Sequence, residues 1–191
     1  MKQKNKWILS LIIVGLIGLF VIEGYVKPNV KQEAAQYEIM QQDPATHHIA
    51  PAARYKSKYM GDAGKVSNLN RQLPYSDLRF TFQLYPDQLT AQLNFEQSAA
   101  EIEPSLLKKL LMYNTTANMV FIDNLEAVIW HFPDGDYTVK RNELAEWYGI
   151  QGSLSELQSE QEWDEIVQER VKQPGSADDF YKEMVMVESG Q

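Results

Sequence analysis

The chain contains no cysteine among its 191 residues and only three histidines. The absence of cysteine excludes disulfides, iron–sulfur clusters, thiolate zinc sites and cysteine nucleophiles. Stability must therefore come from the packing of apolar side chains. With so few histidines, the sequence also predicts no metal site and no bound cofactor.

Basic residues are scarce at one end of the chain. Residues 27–141 carry 12 basic and 13 acidic side chains, whereas residues 142–191 carry 3 basic and 12 acidic ones. The acidic C-terminal region repels nucleic acid and anionic lipid, so we expect no nucleic-acid partner. Two interpretations of this acidity stay open, namely a solvated helix face and a surface for cations or a basic partner.

Only one long apolar run is present, and it begins at Trp7 behind Lys2, Lys4 and Lys6. A helix that continues to Val26 is about 30 Å long, which matches the hydrocarbon core of a bilayer. The flanking segment Ile22-Glu23-Gly24-Tyr25-Val26 is a poor match to a signal-peptidase site, so we expect an uncleaved anchor rather than a cleaved signal peptide. The apolar residues of this anchor are Trp7, Ile8, Leu9, Leu11, Ile12, Ile13, Val14, Leu16, Ile17, Leu19, Phe20, Val21 and Ile22.

The position of the lysines predicts the orientation of the anchor. Basic residues favour the cytoplasmic side, which leaves the N-terminus inside and the rest of the chain outside a cell membrane that it crosses once. An extracytoplasmic domain without cysteine is ordinary at a Gram-positive surface, and we expect that host. The sequence divides into residues 1–26 (lysines and anchor), 27–53 (a polar stalk), 54–150 (the folded domain) and 151–191 (an acidic helical extension).

Two segments alternate apolar and polar residues in the manner of β-hairpins. Residues 78–85 and 89–95 alternate around a turn at Pro86, and a two-residue loop there would pair Phe82 with Ala91. Residues 125–132 and 137–140 alternate around a loop at 133–136, which would pair Trp130 with Val139. In both hairpins the apolar residues fall on one face.

Helical patterns surround these hairpins. Asp62 is a plausible N-cap for a short helix before Pro74, Pro104 suits the first turn of a long central helix, and Gly149 suits a helix C-cap. Ser159 and Ser176 each begin a capping-box pattern in the acidic extension. The sequence therefore predicts an α+β fold, in which two hairpins form an antiparallel sheet with helices on one face, after one transmembrane helix and before acidic helices.

No set of residues forms a complete catalytic or metal-binding motif. His47 and His48 are adjacent in the polar stalk without a third ligand nearby, and Gly64-Lys65 lacks the other residues of a phosphate loop. Glu101, Glu103 and Asp134 are the acids that a hydrolase could use. Helix entry accounts for the two glutamates without catalysis, and a hairpin turn accounts for Asp134. We expect a protein that is not an enzyme.

Tyrosines and basic residues interleave at the start of the domain. Tyr55, Tyr59 and Tyr75 flank the first helix, together with Arg54, Lys56 and Lys58. This composition predicts a site for a peptide or an anionic polymer, while the alternative is that the tyrosines cover the edge of the sheet and the charges are solvated.

Several further stretches together cover most of residues 55–149, namely Tyr59-Met60-Gly61-Asp62, Leu73-Pro74-Tyr75, Leu111-Met112-Tyr113-Asn114, Ile122-Asp123-Asn124, and Tyr137 to Gly149 with Arg141 and Trp147-Tyr148-Gly149. These stretches resemble the bacterial family known as domain of unknown function 4825. The resemblance implies an extracytoplasmic module of Gram-positive bacteria, found after one transmembrane helix or attached to antibiotic-sensing membrane peptidases. It implies sensing or protein interaction and assigns no activity to any residue.

The sequence accordingly favours a non-catalytic binding or sensory module, anchored in the membrane, that contacts an envelope protein or a cell-wall component. Two alternatives are a hydrolase acting on cell-wall polymer and a structural membrane protein that oligomerises. For the second alternative, Gly15 and Gly18 are spaced as GxxG rather than the GxxxG of helix dimers.

Overall fold

The computed structural model describes residues 7, 11, 14–16, 18–20, 22–75 and 78–189. The chain forms two compact units, Met1–Met40 and Gln41–Gln191. In the first unit the described residues are helical, with a π-helix at Ile22–Val26 followed by helix α1 at Lys27–Gln41. Residues 27–41 of the predicted stalk therefore form a helix.

The predicted anchor lies in this first unit. Within the described residues, no helix combines the length and the apolar character that a membrane crossing requires. Six of the predicted anchor residues lie outside the described residues, namely Ile8, Leu9, Ile12, Ile13, Ile17 and Val21. The other seven are exposed to solvent in this chain, namely Trp7, Leu11, Val14, Leu16, Leu19, Phe20 and Ile22.

The second unit holds the remaining helices. Its α-helices are α2 (Ala50–Ala53), α3 (Ala63–Gln72), α4 (Pro104–Phe121), α5 (Arg141–Tyr148), α6 (Glu160–Glu162), α7 (Glu169–Lys172) and α8 (Ser176–Met184). A π-helix at Trp163–Gln168 joins α6 to α7, and short 3₁₀ helices occupy Pro86–Gln88, Ala99–Glu101 and Leu154–Gln158.

Five strands form one mixed sheet in the order β1-β2-β3-β4-β5. They are β1 (Phe80–Tyr85), β2 (Thr90–Phe95), β3 (Ala127–Phe132), β4 (Gly135–Lys140) and β5 (Met186–Ser189). All neighbours are antiparallel except β2 and β3, which are parallel. The fold is therefore α+β as predicted, but the purely antiparallel sheet of two hairpins was wrong.

Helix α4 explains the parallel pair. Its 18 residues span about 27 Å, which exceeds the roughly 20 Å length of a six-residue strand. The helix therefore returns the chain to the end of the sheet where β2 began, and β3 runs in the same direction. Residues of α4 from Leu110 to Phe121 are all buried, so this helix forms the centre of the core.

Both hairpins form, but each register differs from the prediction by two residues. Phe82 pairs with Leu93 because Pro86–Gln88 makes a 3₁₀ turn and Leu89 adopts a left-handed conformation at φ 50°, which lengthens the loop. Trp130 pairs with Tyr137 because the second loop contains two residues rather than four. A shift of two residues keeps every side chain on its predicted face.

Two of the predicted boundaries were wrong. Residues 41–53 belong to the globular unit rather than to a stalk, since His47, Ile49 and Ala52 are buried. At the other end, Gly175 rather than Ser176 is the N-cap of α8, and the chain after Met184 forms β5 instead of a longer helix.

Candidate functional site

The structure separates the three tyrosines that the sequence predicts as a site. Tyr59 is 68% exposed, Tyr55 is half-buried against the core, and Tyr75 is only 5% exposed. The ring of Tyr75 packs on Phe80 and Trp130, with centroid distances of 4.5 and 5.6 Å. A shared tyrosine surface is therefore wrong, and Tyr75 is a core residue.

The hydroxyl of Tyr75 is also occupied inside the protein. It donates a hydrogen bond to the Asn70 side chain, which exchanges two further hydrogen bonds with Asn118 at 2.7 and 2.9 Å. Burial raises the pKa of Tyr75 well above its usual range. This network joins α3 to α4 and leaves the hydroxyl no role at the surface.

The basic residues of the same region do converge. Arg54, Lys56, Ser57, Lys58, Lys65, Asp123 and Gln158 line one cavity of about 390 Å³, which we name the basic pocket. The sequence indicated three of its four cations. Lys65, Asp123 and Gln158 were missed as site residues because only the fold brings α3, the end of α4 and the acidic extension to this place.

Backbone pairing fixes the wall of the basic pocket. The Ser57 amide donates to Phe121 O at 2.8 Å, and the Asp123 amide donates to Ser57 O at 2.9 Å, which forms a parallel bridge at the end of α4. Asn124 holds the next turn by accepting a 2.6 Å hydrogen bond from the Met60 amide. The alternating exposure of residues 54–58 then turns Arg54, Lys56 and Lys58 outward.

Helix α3 contributes the fourth cation. Asp62 caps the helix by accepting a 3.1 Å hydrogen bond from the Lys65 amide. The Lys65 Nζ atom donates to Lys56 O at 3.0 Å, which holds the ammonium beside the other basic residues. The first turn of α3 thereby places a positive charge over the pocket.

The charge of the basic pocket is not neutralised within the described part of the chain. Arg54, Lys56, Lys58 and Lys65 form no ion pair with a described carboxylate. Asp123 is the single acid that lines the cavity, and it accepts a 3.1 Å hydrogen bond from Gln158. Four cations and one carboxylate give the cavity a local excess of positive charge.

Two of the three acids that the hydrolase alternative names accept hydrogen bonds from the first amides of a helix. Glu103 caps α4 by accepting hydrogen bonds from the Ser105 hydroxyl at 2.6 Å and from the Ser105 and Leu106 amides at 3.0 and 2.7 Å. The Ser105 hydroxyl lowers the pKa of Glu103 the most, followed by the two amides. Asp134 accepts from Ser98 at 2.6 Å and from the Ala99 and Ala100 amides; burial opposes its ionisation, but these bonds outweigh burial and lower its pKa. The third acid, Glu101, is exposed.

The histidines occupy three separate places. His47 is buried, His48 lies 2.5 Å from Glu160, and His131 lies 2.5 Å from Asp136 on the exposed face of the sheet. The pair at positions 47 and 48 is thus part of the fold and not of a stalk. Across the described residues, no group of three or more His, Asp or Glu side chains is arranged to hold a metal ion.

Part of the chain matches a known protein family. Residues 53–142 match the family model described as Domain of unknown function (DUF4825). No curated protein and no solved structure matches the chain. The match contains most of the basic pocket and ends before Trp147-Tyr148-Gly149, which the resemblance had included. The match confirms, over residues 53–142, the family resemblance that the sequence predicted.

Proposed function

We propose that this protein is a membrane-anchored, extracytoplasmic binding module of the bacterial cell envelope, and that its basic pocket holds an anionic group of a cell-wall component. The convergence of Arg54, Lys56, Lys58 and Lys65 on one cavity carries this proposal. The apolar run from Trp7 to Ile22 supports the anchor, and the lysines before it support the outward placement of the domain.

The size of the basic pocket restricts its ligand. A cavity of about 390 Å³ accommodates a phosphate or carboxylate with its neighbouring atoms, not the width of a nucleic-acid duplex. Lysines bind such groups as point charges, and Arg54 can bind them through two parallel hydrogen bonds. The ligand is therefore a phosphate- or carboxylate-bearing unit of a wall polymer.

The overall net charge of −8 does not oppose binding in this pocket. Charges further apart than the Debye length, about 8 Å at physiological ionic strength, are largely screened in solvent. An incoming anion therefore responds mainly to the four nearby cations. Remote acidic residues slow its approach more than they weaken its bound state.

Titration of the full-length chain in detergent micelles with short glycerol-phosphate oligomers tests this proposal. We expect saturable binding that weakens with added salt and falls at least tenfold in the Lys56→Glu/Lys58→Glu double variant. The Lys140→Glu/Lys182→Glu variant is the matched control, since it makes the same charge change at exposed lysines outside the pocket. Equal loss of binding in both variants would show a dependence on net charge alone and would overturn the proposal.

A further inference from the structure

Strand β1 is an edge of the sheet, and its outer side carries no partner among the described strands. The Glu96 amide donates to Arg79 O at 3.2 Å, which places position 79 among the residues whose backbone faces β2. In an antiparallel pair this orientation alternates along the strand. The backbone N–H and C=O groups of Phe80, Phe82 and Leu84 therefore point away from the sheet.

The outward groups of β1 are available for pairing. Among the described residues, no loop or side-chain group hydrogen-bonds to the backbone of Phe80, Phe82 or Leu84. Natural edge strands are usually protected by proline, lysine or a bulge. The β1 sequence, Phe-Thr-Phe-Gln-Leu-Tyr, contains neither proline nor a charged residue over six positions. The outer edge of β1 can therefore form backbone hydrogen bonds with another extended segment.

A cavity of about 610 Å³ lies along this edge. Its floor includes the half-buried side chains of Leu78, Phe80 and Phe82. Its polar lining includes two exposed arginines, Arg71 at the end of α3 and Arg79 immediately before β1. Neither arginine forms an ion pair with a carboxylate of the described residues. The cavity therefore offers apolar surface beside two positive charges.

We propose that β1 binds an extended peptide segment of a partner protein, in which apolar residues fill this cavity and an acidic side chain pairs with Arg71 and Arg79. Backbone hydrogen bonds to β1 supply affinity, and the cavity binds every second side chain of the peptide, which supplies specificity. Charge complementarity selects an acidic peptide over a neutral or basic one. This site is separate from the basic pocket, whose lining shares no residue with it.

A peptide array tests the proposal with the labelled full-length chain in detergent micelles. The probes are hexapeptides with Val, Ile, Leu or Phe at alternate positions and Thr between them, with one Thr replaced by Glu, Gln or Lys. We expect Glu peptides to bind at least tenfold more tightly than matched Lys peptides. The Arg71→Glu/Arg79→Glu variant should reverse this preference, whereas Lys56→Glu/Lys58→Glu should retain it.

Amide hydrogen exchange of the protein, measured with and without the best-binding peptide, tests directly whether the peptide pairs with β1. We expect added protection at Phe80, Phe82 and Leu84, and little change at Thr81 and Gln83, whose amides already face β2. A peptide N-methylated at the amides that face β1 should lose both binding and protection. The proposal would be overturned if the array showed no preference for Glu over Lys peptides, or if the Arg71→Glu/Arg79→Glu variant did not reverse that preference. It would also be overturned if self-association of the protein protected the same amides without peptide.

Discussion

At the scale of single residues, His47 shows how a polar side chain becomes part of the core. The Nε2 atom lies 2.7 Å from Gln72 O, which can only accept, so this nitrogen carries the proton. The Nδ1 atom then accepts from the Tyr113 hydroxyl at 2.8 Å, and that hydroxyl accepts from Trp163 Nε1 at 3.1 Å. The bond from the Tyr113 hydroxyl requires an unprotonated Nδ1 atom and therefore a neutral imidazole. The bond to Gln72 O favours the charged form, but burial outweighs it.

The His47 network predicts a loss of stability in mild acid. Burial lowers the pKa of His47 from 6.5 to about 4. As the pH falls below 6.5, His47 binds a proton in the unfolded chain but not in the folded chain. The free energy of unfolding therefore decreases until the pH reaches about 4. Between roughly pH 7.5 and pH 5 this group should remove about 2 kcal/mol. Urea unfolding of the full chain at both pH values measures the change.

The variant His47→Gln provides the comparison for this prediction. Glutamine stays neutral over the whole pH range. The free energy of unfolding of the variant should therefore decrease by about 2 kcal/mol less than that of the natural protein over the same pH interval. The carboxylates contribute equally to both proteins and cancel in the difference. Identical pH dependences would show that His47 does not titrate as the buried geometry requires.

At the scale of secondary structure, the sequence predicted the elements better than their pairing. The alternation around Pro86, the cap at Asp62 and the first turn at Pro104 are all confirmed. Both registers were wrong by two residues because side-chain alternation is unchanged by a shift of two. Only the loop conformation distinguishes such registers. Leu89 adopts a left-handed backbone conformation, which leucine rarely does, so its residue type gives no signal of this turn.

The parallel pairing of β2 with β3 and the assembly of the basic pocket both bring together segments that are far apart in the sequence. The length of α4 was available from the sequence and implied the direction of β3, but strand β5 required knowledge that the acidic extension returns to β4. Arg54, Lys56 and Lys58 were recognised by their spacing in one segment. Gln158 joins them from a position at least 100 residues later in the chain, and no local signal marks it.

Helix α5 permits a clean prediction about a helix terminus. Its C-cap, Gly149, has φ 69°, and an added Cβ would meet no atom within 4 Å. The Gly149→Ala change should therefore destabilise the protein by about 1 kcal/mol through backbone strain alone. Gly61→Ala is the control, because Gly61 has equally open surroundings and no positive φ. Denaturant midpoints that shift equally in both variants would contradict this explanation.

At the scale of the whole molecule, the acidic extension is part of the globular unit. Leu154, Leu157, Trp163, Val167 and Phe180 are buried in the common core. Most of its carboxylates, such as those of Glu156, Glu162 and Asp164, are exposed. This separation of apolar and acidic residues supports the solvated helix face over a dedicated cation surface. Negative charge on the extension and positive charge in the basic pocket make the unit electrically asymmetric.

The absence of cysteine allows the proposed membrane topology to be measured with single reporter cysteines in the full-length chain. The change Gln151→Cys places a thiol at an exposed position of the globular unit, and Asn5→Cys places one among the N-terminal lysines. Because basic residues favour the cytoplasmic side, we expect a membrane-impermeant maleimide to label the first variant in intact cells and the second only after lysis. Replacing Lys2, Lys4 and Lys6 with glutamate should reduce correctly oriented protein, since the charge asymmetry across the apolar run is then reversed. Labelling of Asn5→Cys in intact cells, or protection of Gln151→Cys until lysis, would contradict the orientation on which an envelope ligand depends.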